Sequence, residues 1–438
     1  MTRVRSIAAA IPPCFLLGCT SANQGALRPA TSGIGLQRGI AAADSLVTAA
    51  LGTLIPGAVL LVARDGTVLH ERAYGYAELN DYSVKRLPSP RPMRTSTVFD
   101  LASVTKVMAT TFAIMLLADR GQVDVDAPVH RYLPDFRGPH LDSITVRHLL
   151  NHSSGLVQWQ PLYYQAANSA QTYAAIRRMP LGWGVGEARH YSDLGFMLLG
   201  YIVERVSGQP IDRFIERELH QPLGLRTTMF NPRKRGLTEF AATEPGNVYE
   251  RRMVYDSTFA YVYRGNPASW DGWRNGVLVG EVDDGNAAYA NEGVAGHAGL
   301  FSTAADLRVL LDLLNNRGMY NGRRYLRPAT VDLFLTLDKF EHYLGWQFPA
   351  GMPEGTFAHS GFTGTWVAGI PKHKLSIVLL TNRQNLGTDA RGYFRDVTPL
   401  REAVTRAIVN GAEADAGKGV ATSGMPGLDA ARFQQGRS

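Results

Sequence analysis

The chain has 438 residues, of which 45% are hydrophobic and 19% charged, and its formal net charge at pH 7 is +7. This composition is that of a folded protein with a large core and excludes a fibrous or low-complexity chain. The only two cysteines, Cys14 and Cys19, lie within the first nineteen residues, so we expect neither a disulfide framework nor a cysteine zinc site. No apolar run approaches the roughly 20 residues of a membrane-spanning helix. The basic residues are scattered along the chain, which argues against nucleic-acid binding.

The first residues have the pattern of an export signal. Two arginines precede an apolar stretch at residues 7–17, and this order is typical of secretory signal peptides. The stretch ends in Leu-Leu-Gly-Cys, which resembles a bacterial lipobox. We therefore predict a signal peptide over residues 1–18, lipidation of Cys19, a tether over residues 19–39, and an exported, periplasmic or cell-envelope protein anchored in the membrane by its lipid. The alternative is a plain signal peptide in which Cys19 is incidental.

Strands are predicted near both ends of the chain and helices between them. The strands form two hairpins, at residues 57–64 with 67–73 and at residues 365–370 with 375–381. The helices are at residues 104–119, 195–206, 211–219, 304–314 and 399–409. Weak periodicity at residues 231–292 predicts an inserted loop region, and the composition of residues 411–438 predicts a disordered tail. The fold class is therefore α/β (α+β): an antiparallel sheet from both chain ends, flanked by helices, with an inserted helical region.

The motifs present narrow the available chemistry. The G-x-S-x-G, H-E-x-x-H and Walker motifs are absent from the sequence. Ser103 and Lys106 stand one turn apart at the start of a predicted buried helix, so the lysine amine can reach the serine hydroxyl. Free N–H groups at that helix end favour developing negative charge, and burial of Lys106 would let it act as a base. The alternative is an N-cap serine beside a snorkelling lysine.

Two later segments would complete a site. Tyr191 and Asp193 precede a predicted helix, and because they are two residues apart they converge only if their segment is a turn. A tyrosine near a lysine relays a proton to a leaving group. The run His359, Ser360 and Gly361 precedes the last hairpin and offers a donor, a hydroxyl and a residue without a side chain as a wall for a substrate.

Two groups of potential metal ligands have simpler explanations. His148 and His152 lie four residues apart, and we interpret them as residues that cap and pack a helix end. Glu281, Asp283 and Asp284 lie close together in the inserted region, where a solvated turn explains them better than a metal site. We therefore expect no metal and no cofactor.

The three motifs together resemble those of a known family. Ser-x-x-Lys at Ser103, Tyr-x-Asp at Tyr191 and His-Ser-Gly at His359, in this order, look like the motifs of the penicillin-recognising serine hydrolases, which comprise class C β-lactamases, low-molecular-weight DD-peptidases and related esterases. The flanking sequence is similar as well, at residues 99–103, 144–156, 191–208, 296–302 and 359–365. The likeness covers residues 40–410, which we take as the hydrolase domain, and it looks most like penicillin-binding-protein-4B-type DD-carboxypeptidases. It implies a β-lactamase/transpeptidase-like fold.

The resemblance also implies a role for each motif residue. Ser103 would be the acylated nucleophile and Lys106 its base, while Tyr191 would pass a proton to the leaving group and later activate water. The backbone N–H groups of Ser103 and Phe362 would form the oxyanion hole, which stabilises the charge that develops during reaction. The residues implied in substrate binding are Asp193, His359, Ser360 and Gly361.

Two of these residues depart from the pattern of the β-lactamases, which usually carry Asn in place of Asp193 and Lys in place of His359. Asp193 beside Lys106 would favour the ammonium form, which leaves open whether Lys106 or Tyr191 is the acylation base. A mostly neutral His359 would grip a substrate carboxylate less firmly than a lysine does.

These observations predict a serine hydrolase of the bacterial cell envelope that acts as a DD-carboxypeptidase on peptidoglycan peptides. Its partner is then a peptide or small-molecule substrate, with a membrane contact through the lipid anchor and no nucleic acid. A carboxylesterase or weak β-lactamase on the same site is one alternative, and a non-catalytic peptidoglycan-binding lipoprotein is the other. The inserted region would cover the cleft and set the size of the substrate.

Overall fold

The computed structural model describes residues 33–417. The predicted signal peptide, Cys19 and most of the predicted tether therefore lie outside the described residues, as does the predicted tail beyond residue 417. The described part begins with helix α1 (Ile34–Ala50) and ends with helix α11 (Thr398–Asp415). Between these two helices, the described strands form four sheets.

A six-stranded antiparallel sheet forms the centre of the fold, in the order β11-β12-β13-β1-β2-β3. Its strands are β1 (Gly57–Arg64), β2 (Thr67–Asn80), β3 (Arg86–Pro92), β11 (Phe357–Ser360), β12 (Trp366–Ile370) and β13 (Leu375–Thr381). The middle pair joins the two ends of the chain, since Ala58 lies opposite Thr381. Both middle strands are buried almost throughout, because helices cover both faces of the sheet. The predicted antiparallel sheet and its two hairpins are confirmed.

Helices α1 and α11 pack together against one face of this sheet. Leu36 and Val47 of α1 share a buried cluster with Val404 and Ile408 of α11. The helices approach closely because glycines face the contact. A Cβ atom added at Gly39 would lie only 2.4 Å from the carbonyl oxygen of Ala407.

The ends of this helix pair correct two predicted boundaries. Helix α1 includes residues 34–39 of the predicted tether, and α11 extends through the start of the predicted tail to Asp415. The reason is a distant contact: the Asp415 carboxylate accepts the N–H groups of Gly35 at 2.7 Å and Leu36 at 2.9 Å. A carboxylate at this position satisfies the free donors of a helix start. Residues 34–39 and 411–415 therefore form a structural clasp.

The remaining helices and strands lie between β3 and β11 and on the other face of the sheet. The helices are α2 (Phe112–Asp119), α3 (Val146–Leu150), α4 (Ser169–Arg178), α5 (Asp193–Ser207), α6 (Ile211–Ile215), α7 (Val248–Tyr255), α8 (Gly285–Ala290), α9 (Ala304–Asn315) and α10 (Pro328–Phe334). A three-stranded sheet contains β4 (Phe99–Asp100), β8 (Leu300–Ser302) and β5 (Met229–Phe230). Two hairpin-like pairs are β6 (Ala242–Pro245) with β7 (Val277–Val279) and β9 (Met319–Tyr320) with β10 (Arg323–Arg324).

The predicted helix at residues 104–119 is the core helix of this second layer. A 3-10 turn (Ala102–Val104) and a π-helical segment (Lys106–Thr111) lead into α2. By length and composition, this helix is the single one within residues 33–417 that resembles a membrane span, so the chain comes closer to that length than we expected. In the fold, 83% of it is buried inside the protein. Burial identifies it as a core helix.

The inserted region 231–292 is more ordered than predicted, since it contains β6, β7, α7 and α8. The prediction of a solvated turn is right for the exposed Glu281 and wrong for its neighbours. Asp283 is buried, and Asp284 contacts His297 Nε2 at 2.8 Å. Pairing with a histidine from outside the region stabilises a buried carboxylate that a solvated turn would leave in water.

Candidate active site

Ser103 lies at a backbone corner between β4 and the core helix. The preceding Ala102 has a φ of 45°, a left-handed conformation that costs a residue with a Cβ atom on the order of 1–3 kcal/mol. The Asp100 carboxylate holds the corner, because it accepts the N–H of Ala102 at 2.8 Å and that of Asp283 at 2.6 Å. Ser103 is the second residue of the 3-10 turn, so its own N–H has no partner within the helix.

Lys106 is fully buried one turn after Ser103, and the predicted contact between the two is confirmed. Its Nζ donates to Ser103 Oγ at 2.9 Å and to the carbonyl oxygen of His297 at 3.2 Å. The same Nζ lies 2.7 Å from the Asp193 Oδ1 atom. An ammonium with a hydroxyl, a carbonyl and a carboxylate around it has a partner for each of its protons.

Tyr191 reaches the same lysine from a different element. Its segment is extended rather than the turn we expected, and the next residue, Ser192, is the N-cap of α5. In extended backbone, residues two apart lie on the same side, so Tyr191 and Asp193 converge on Lys106. Lys106 and Ser103 both act on the tyrosine hydroxyl and lower its pKa against the effect of burial. The Lys106 ammonium also lies 4.8 Å from the centre of the tyrosine ring.

The charge states in this cluster follow from burial and pairing. Burial lowers the pKa of Lys106, but the Asp193 charge, helped by Tyr191, outweighs burial and leaves that pKa raised. The expectation that burial alone would neutralise the lysine is therefore wrong. Burial raises the pKa of Tyr191, although the Lys106 charge opposes this shift. At rest the cluster contains an ammonium, a phenol and a carboxylate.

His359 ends strand β11 on the opposite side of the cleft and is buried. Its Nδ1 donates to the Ser360 carbonyl oxygen at 2.9 Å, so the neutral ring leaves Nε2 as an acceptor. Burial, and then the Lys106 charge, lower the pKa of His359 to about 3. A neutral ring whose free nitrogen is an acceptor has no proton for a carboxylate. A neutral ring is the state that the expected weak grip on a substrate carboxylate requires, and that grip stays a prediction.

Hydrogen bonds join the loop after His359 to the residues just before Ser103. Thr363 Oγ1 donates to the Asp100 carbonyl oxygen at 2.8 Å, and Thr365 Oγ1 donates to the Leu101 carbonyl oxygen at 3.0 Å. A glycine is required at position 361, because a Cβ atom there would lie 2.4 Å from the Leu101 carbonyl oxygen. These bonds set the spacing between the two halves of the predicted oxyanion hole.

Phe362 carries the other N–H of the predicted oxyanion hole. Within residues 33–417 this N–H has no protein partner. It belongs to the peptide that begins with the Gly361 carbonyl, and because that oxygen accepts the Gly364 N–H at 3.0 Å, the plane of the peptide is held. The following peptide is held as well, since the Phe362 carbonyl oxygen accepts two bonds from Arg383, at 3.0 and 2.8 Å. Arg383 therefore braces this loop, and our sequence analysis missed it.

A cleft of about 330 Å³ brings these groups together. It is lined by Ser103, Tyr191, Gln347, His359, Ser360, Gly361, Phe362, Arg383, Asp396, Val397, Thr398 and Arg401. Asp193 and Lys106 lie behind these lining residues, where they form an ion pair, and the predicted role of Asp193 in binding substrate stays a prediction. Arg401 of α11 was also missed. The sequence could have revealed it as a basic residue near the start of the last predicted helix, which we could have placed beside the predicted substrate wall at residues 359–361.

The sequence comparisons identify the family. The sequence model of the beta-lactamase family matches residues 43–398. The chain belongs to the beta-lactamase family. It is a serine hydrolase of that family, with a β-lactamase/transpeptidase-like fold of antiparallel sheet and flanking helices, as predicted.

Curated relatives in this family cover most of the chain. An "N-acetylmuramyl-L-alanine amidase" of Bacillus subtilis (strain 168) is 35% identical over 370 residues, which is 78% of this chain and 80% of the relative. A "Putative D-alanyl-D-alanine carboxypeptidase" of Escherichia coli (strain K12) is 34% identical over 357 residues, which is 75% of this chain and 78% of that relative. These relatives act on different bonds according to their names.

Solved structures of the beta-lactamase fold are more distant. EstCE1, a hydrolase with promiscuous acyltransferase activity, matches with a TM-score of 0.63 at 24% identity and covers 86% of this chain and all of its own. A penicillin-binding protein homologue from Caulobacter crescentus matches with a TM-score of 0.61 at 21% identity, over 86% of this chain and 97% of its own. At these identities the likeness concerns the fold.

The two histidines outside the three family motifs have the structural roles we predicted. His148 completes a capping box with Thr145 at the start of α3. His152 is buried, its Nδ1 accepts the Ser192 N–H at 3.0 Å, and its ring centre lies 4.4 Å from that of Tyr191. His152 therefore positions the segment that carries the tyrosine.

Proposed function

We propose that this beta-lactamase-family hydrolase is a DD-carboxypeptidase that cleaves peptidoglycan-derived peptides through an acyl-enzyme on Ser103. The observation that carries the proposal is the 2.9 Å contact between Ser103 Oγ and Lys106 Nζ, beside Tyr191, in a cleft that also contains Arg401. A serine with an adjacent proton-transfer group is the arrangement of nucleophilic catalysis. The arginine offers a carboxylate anchor, which a peptide ending in a free carboxylate requires.

Acylation proceeds by attack of Ser103 Oγ on the scissile carbonyl carbon. The serine proton moves to Lys106 Nζ as Lys106 gives one of its protons to Asp193, which lies 2.7 Å away. The N–H groups of Ser103 and Phe362 stabilise the oxyanion of the tetrahedral intermediate. When the C–N bond breaks, Tyr191 donates its hydroxyl proton to the leaving amine and regains one from Lys106, which recovers its own from Asp193.

Deacylation reverses these roles with water in place of the amine. Water loses a proton to the Tyr191 oxygen through the same network, and its oxygen attacks the ester carbon. The C–O bond to Ser103 breaks, and the proton returns to the serine oxygen. The neutral His359 supports an amide substrate, since its Nε2 accepts a substrate N–H.

A second candidate is cleavage of the amide between a muramyl sugar and its peptide. The 35% identical amidase of Bacillus subtilis supports it. So does an aromatic wall beside the cleft, where the Phe362 ring lies 5.0 Å from Tyr249 and 5.8 Å from Phe394. Aromatic faces of this kind offer apolar area to the C–H face of a sugar.

Export and attachment to the cell envelope through a lipid on Cys19 complete the proposal. They rest on the signal-like start and the lipobox-like ending in the sequence. A Cys19→Ser variant of the full chain is expected to move from the membrane fraction to the soluble fraction on fractionation of cells. Retention in the membrane fraction would contradict lipidation.

Intact-protein mass spectrometry distinguishes the candidate functions. We expect the mass of a penicilloyl adduct after incubation with penicillin, and no adduct in Ser103→Ala. Incubation with a D-Ala-D-Ala peptide should release D-alanine, whereas a muramyl peptide should stay intact. Cleavage of the muramyl peptide alone would replace the first candidate by the second. Absence of an adduct with penicillin and with p-nitrophenyl esters would contradict catalysis at Ser103.

A further inference from the structure

A second groove of about 400 Å³ adjoins the catalytic cleft. The two share Gln347 and Arg401 as lining residues, so the groove continues from the site of acylation. Arg189 and Arg406 line the new part, and His342 lies beside them. Three arginines therefore face one continuous space next to the cleft.

Two of these arginines are half-buried without a counter-charge. Within residues 33–417, neither Arg189 nor Arg401 has a carboxylate oxygen within 4.0 Å. The Arg189 Nε atom is buried and has no hydrogen-bond partner among those residues. Burial lowers the pKa of both guanidinium groups. A desolvated cation without a partner is unfavourable, so the binding of an anion in this groove would lower the free energy.

Three carboxylates lie near these arginines, and within the described chain none forms an ion pair with Arg189 or Arg401. Asp338 accepts the Asn151 side chain at 2.8 Å and the Phe340 N–H at 2.8 Å. Asp396 accepts the Thr398 N–H at 2.9 Å. Glu402 is exposed and lines the groove, and its charge and that of Asp396 raise the pKa of Arg401 from a distance. Both guanidinium groups therefore keep their hydrogen-bond donors free for a ligand.

Neighbouring side chains hold the arginines toward the groove. The Arg401 guanidinium lies 5.1 Å from the centre of the Trp366 ring, a cation–π contact that orients its planar face. Trp366 is fixed in turn, because its Nε1 donates to Thr405 at 3.0 Å. His342 adds no competing positive charge, since burial lowers its pKa to about 4.

We propose that this groove is a second subsite, which binds a carboxylate that an acidic peptide substrate carries away from the scissile bond. Arg189 binds that carboxylate by charge-assisted hydrogen bonds, while Arg401, which lines both spaces, remains the anchor for the terminal carboxylate. This inference rests on the proposed function, because it names the class of peptide that the same cleft receives. The substrate is then a peptide with at least two carboxylates.

Calorimetric titration of the full chain carrying Ser103→Ala tests the subsite without hydrolysis. The probes are acetylated peptides that end in D-Ala-D-Ala and carry either glutamate or glutamine at one, two or three residues before that end. We expect the glutamate peptide to bind roughly tenfold or more tightly for at least one of these positions. Arg189→Gln added to Ser103→Ala should abolish that preference, and Arg189→Lys should restore part of it.

The control is Arg178→Gln, which removes the same charge from an exposed position at the end of α4 and should leave the preference unchanged. Equal binding of glutamate and glutamine peptides at all three positions would overturn the subsite. A preference that survives Arg189→Gln would overturn it as well. Cleavage by the wild-type chain is measured separately: uncleaved peptides with the glutamate preference intact would contradict the proposed function and leave the subsite standing.

Discussion

The two walls of the catalytic cleft differ in whether their charged and polar groups are already paired. On the helical wall, Lys106 is paired with Asp193 at 2.7 Å and lies fully buried. On the strand wall, which strand β11 and the neighbouring helix α11 form, His359 is neutral with an unused acceptor, and Arg401 has no carboxylate within 4.0 Å in the described chain. A wall whose charges are already paired keeps its geometry without a ligand, whereas unpaired groups gain partners only from a substrate. In the proposed mechanism the helical wall therefore makes and breaks bonds, and the strand wall selects what is bound.

The largest effect should come from breaking the helical wall at its centre. Lys106→Met removes the proton carrier and leaves the Asp193 charge without its partner. We expect kcat for p-nitrophenyl acetate to fall by about 10³-fold or more, within the range known for proton-transfer groups. The control is Lys85→Met, at an exposed position outside the cleft. A fall of less than tenfold would place the proton carrier elsewhere.

Asp193→Asn tests how the helical wall uses its paired charge. If the serine proton passes through Lys106 to Asp193, kcat/KM should fall by about 10²-fold over pH 6–9. If a neutral lysine is the base instead, removal of the carboxylate would lower the pKa of Lys106 and raise activity on the alkaline side. The sign of the change in a pH–rate profile decides between these routes. Asp332→Asn, which breaks an exposed ion pair with Arg317, is the matched control.

The neutral His359 of the strand wall should make the unfolding free energy decrease as the pH is lowered. The folded-state pKa of His359 is about 3, below the ordinary 6.5, so the unfolded chain takes up a proton that the folded chain refuses. The stabilisation by the neutral ring is complete above pH 6.5 and is lost as the pH falls toward 3. Between pH 7 and pH 5, the wild type should lose about 2 kcal/mol of unfolding free energy relative to His359→Gln.

Urea unfolding at both pH values measures this difference. The same substitution at the exposed His140 serves as the control. Parallel pH dependence of the wild type and His359→Gln would mean that the buried ring takes up its proton in the folded state, and the contrast between the two walls would then fail.

The smallest effect should come from removing one hydrogen bond between the two walls. Thr365→Val keeps the shape of the side chain but removes the hydrogen bond to the Leu101 carbonyl oxygen. We expect a loss of about 1 kcal/mol in unfolding free energy, since one buried hydrogen bond is removed while the Leu101 carbonyl oxygen still accepts the Val104 N–H at 3.0 Å. Urea unfolding measures it, with the exposed Thr258→Val as control. An unchanged midpoint would mean that the walls keep their spacing without this bond.

The parts of the site that are close in sequence were predictable, and the rest depends on distant contacts. Ser103 and Lys106 are one helical turn apart, so their contact follows from local geometry. Tyr191 and Asp193 were assigned to the site, but their convergence depends on extended backbone rather than the expected turn. The charge state of His359 depends on burial and on its own neighbour's carbonyl group, which no spacing reveals. The antiparallel sheet from both chain ends was predicted because hairpin signals stood there, whereas the order of its six strands was not predicted.

Contacts across the whole chain lay beyond pattern-based prediction. Helix α1, which the sequence analysis did not predict, begins within the predicted tether, where Asp415 caps it from the other end of the described chain. Arg189 and Arg401 form one groove only after α11 packs beside the sheet. The acids at 283 and 284 look like solvated residues until His297 and the Ser103 corner are brought to them.

Because β1 pairs with β13, the central sheet can be completed only late in the synthesis of the chain. Ala58 is made long before its partner Thr381, so the central sheet cannot be completed until residue 381 has been made. A nascent chain that already carries Ser103 still lacks Phe362 and therefore half of its predicted oxyanion hole. The proposed hydrolytic activity is therefore withheld until almost the entire polypeptide has been made.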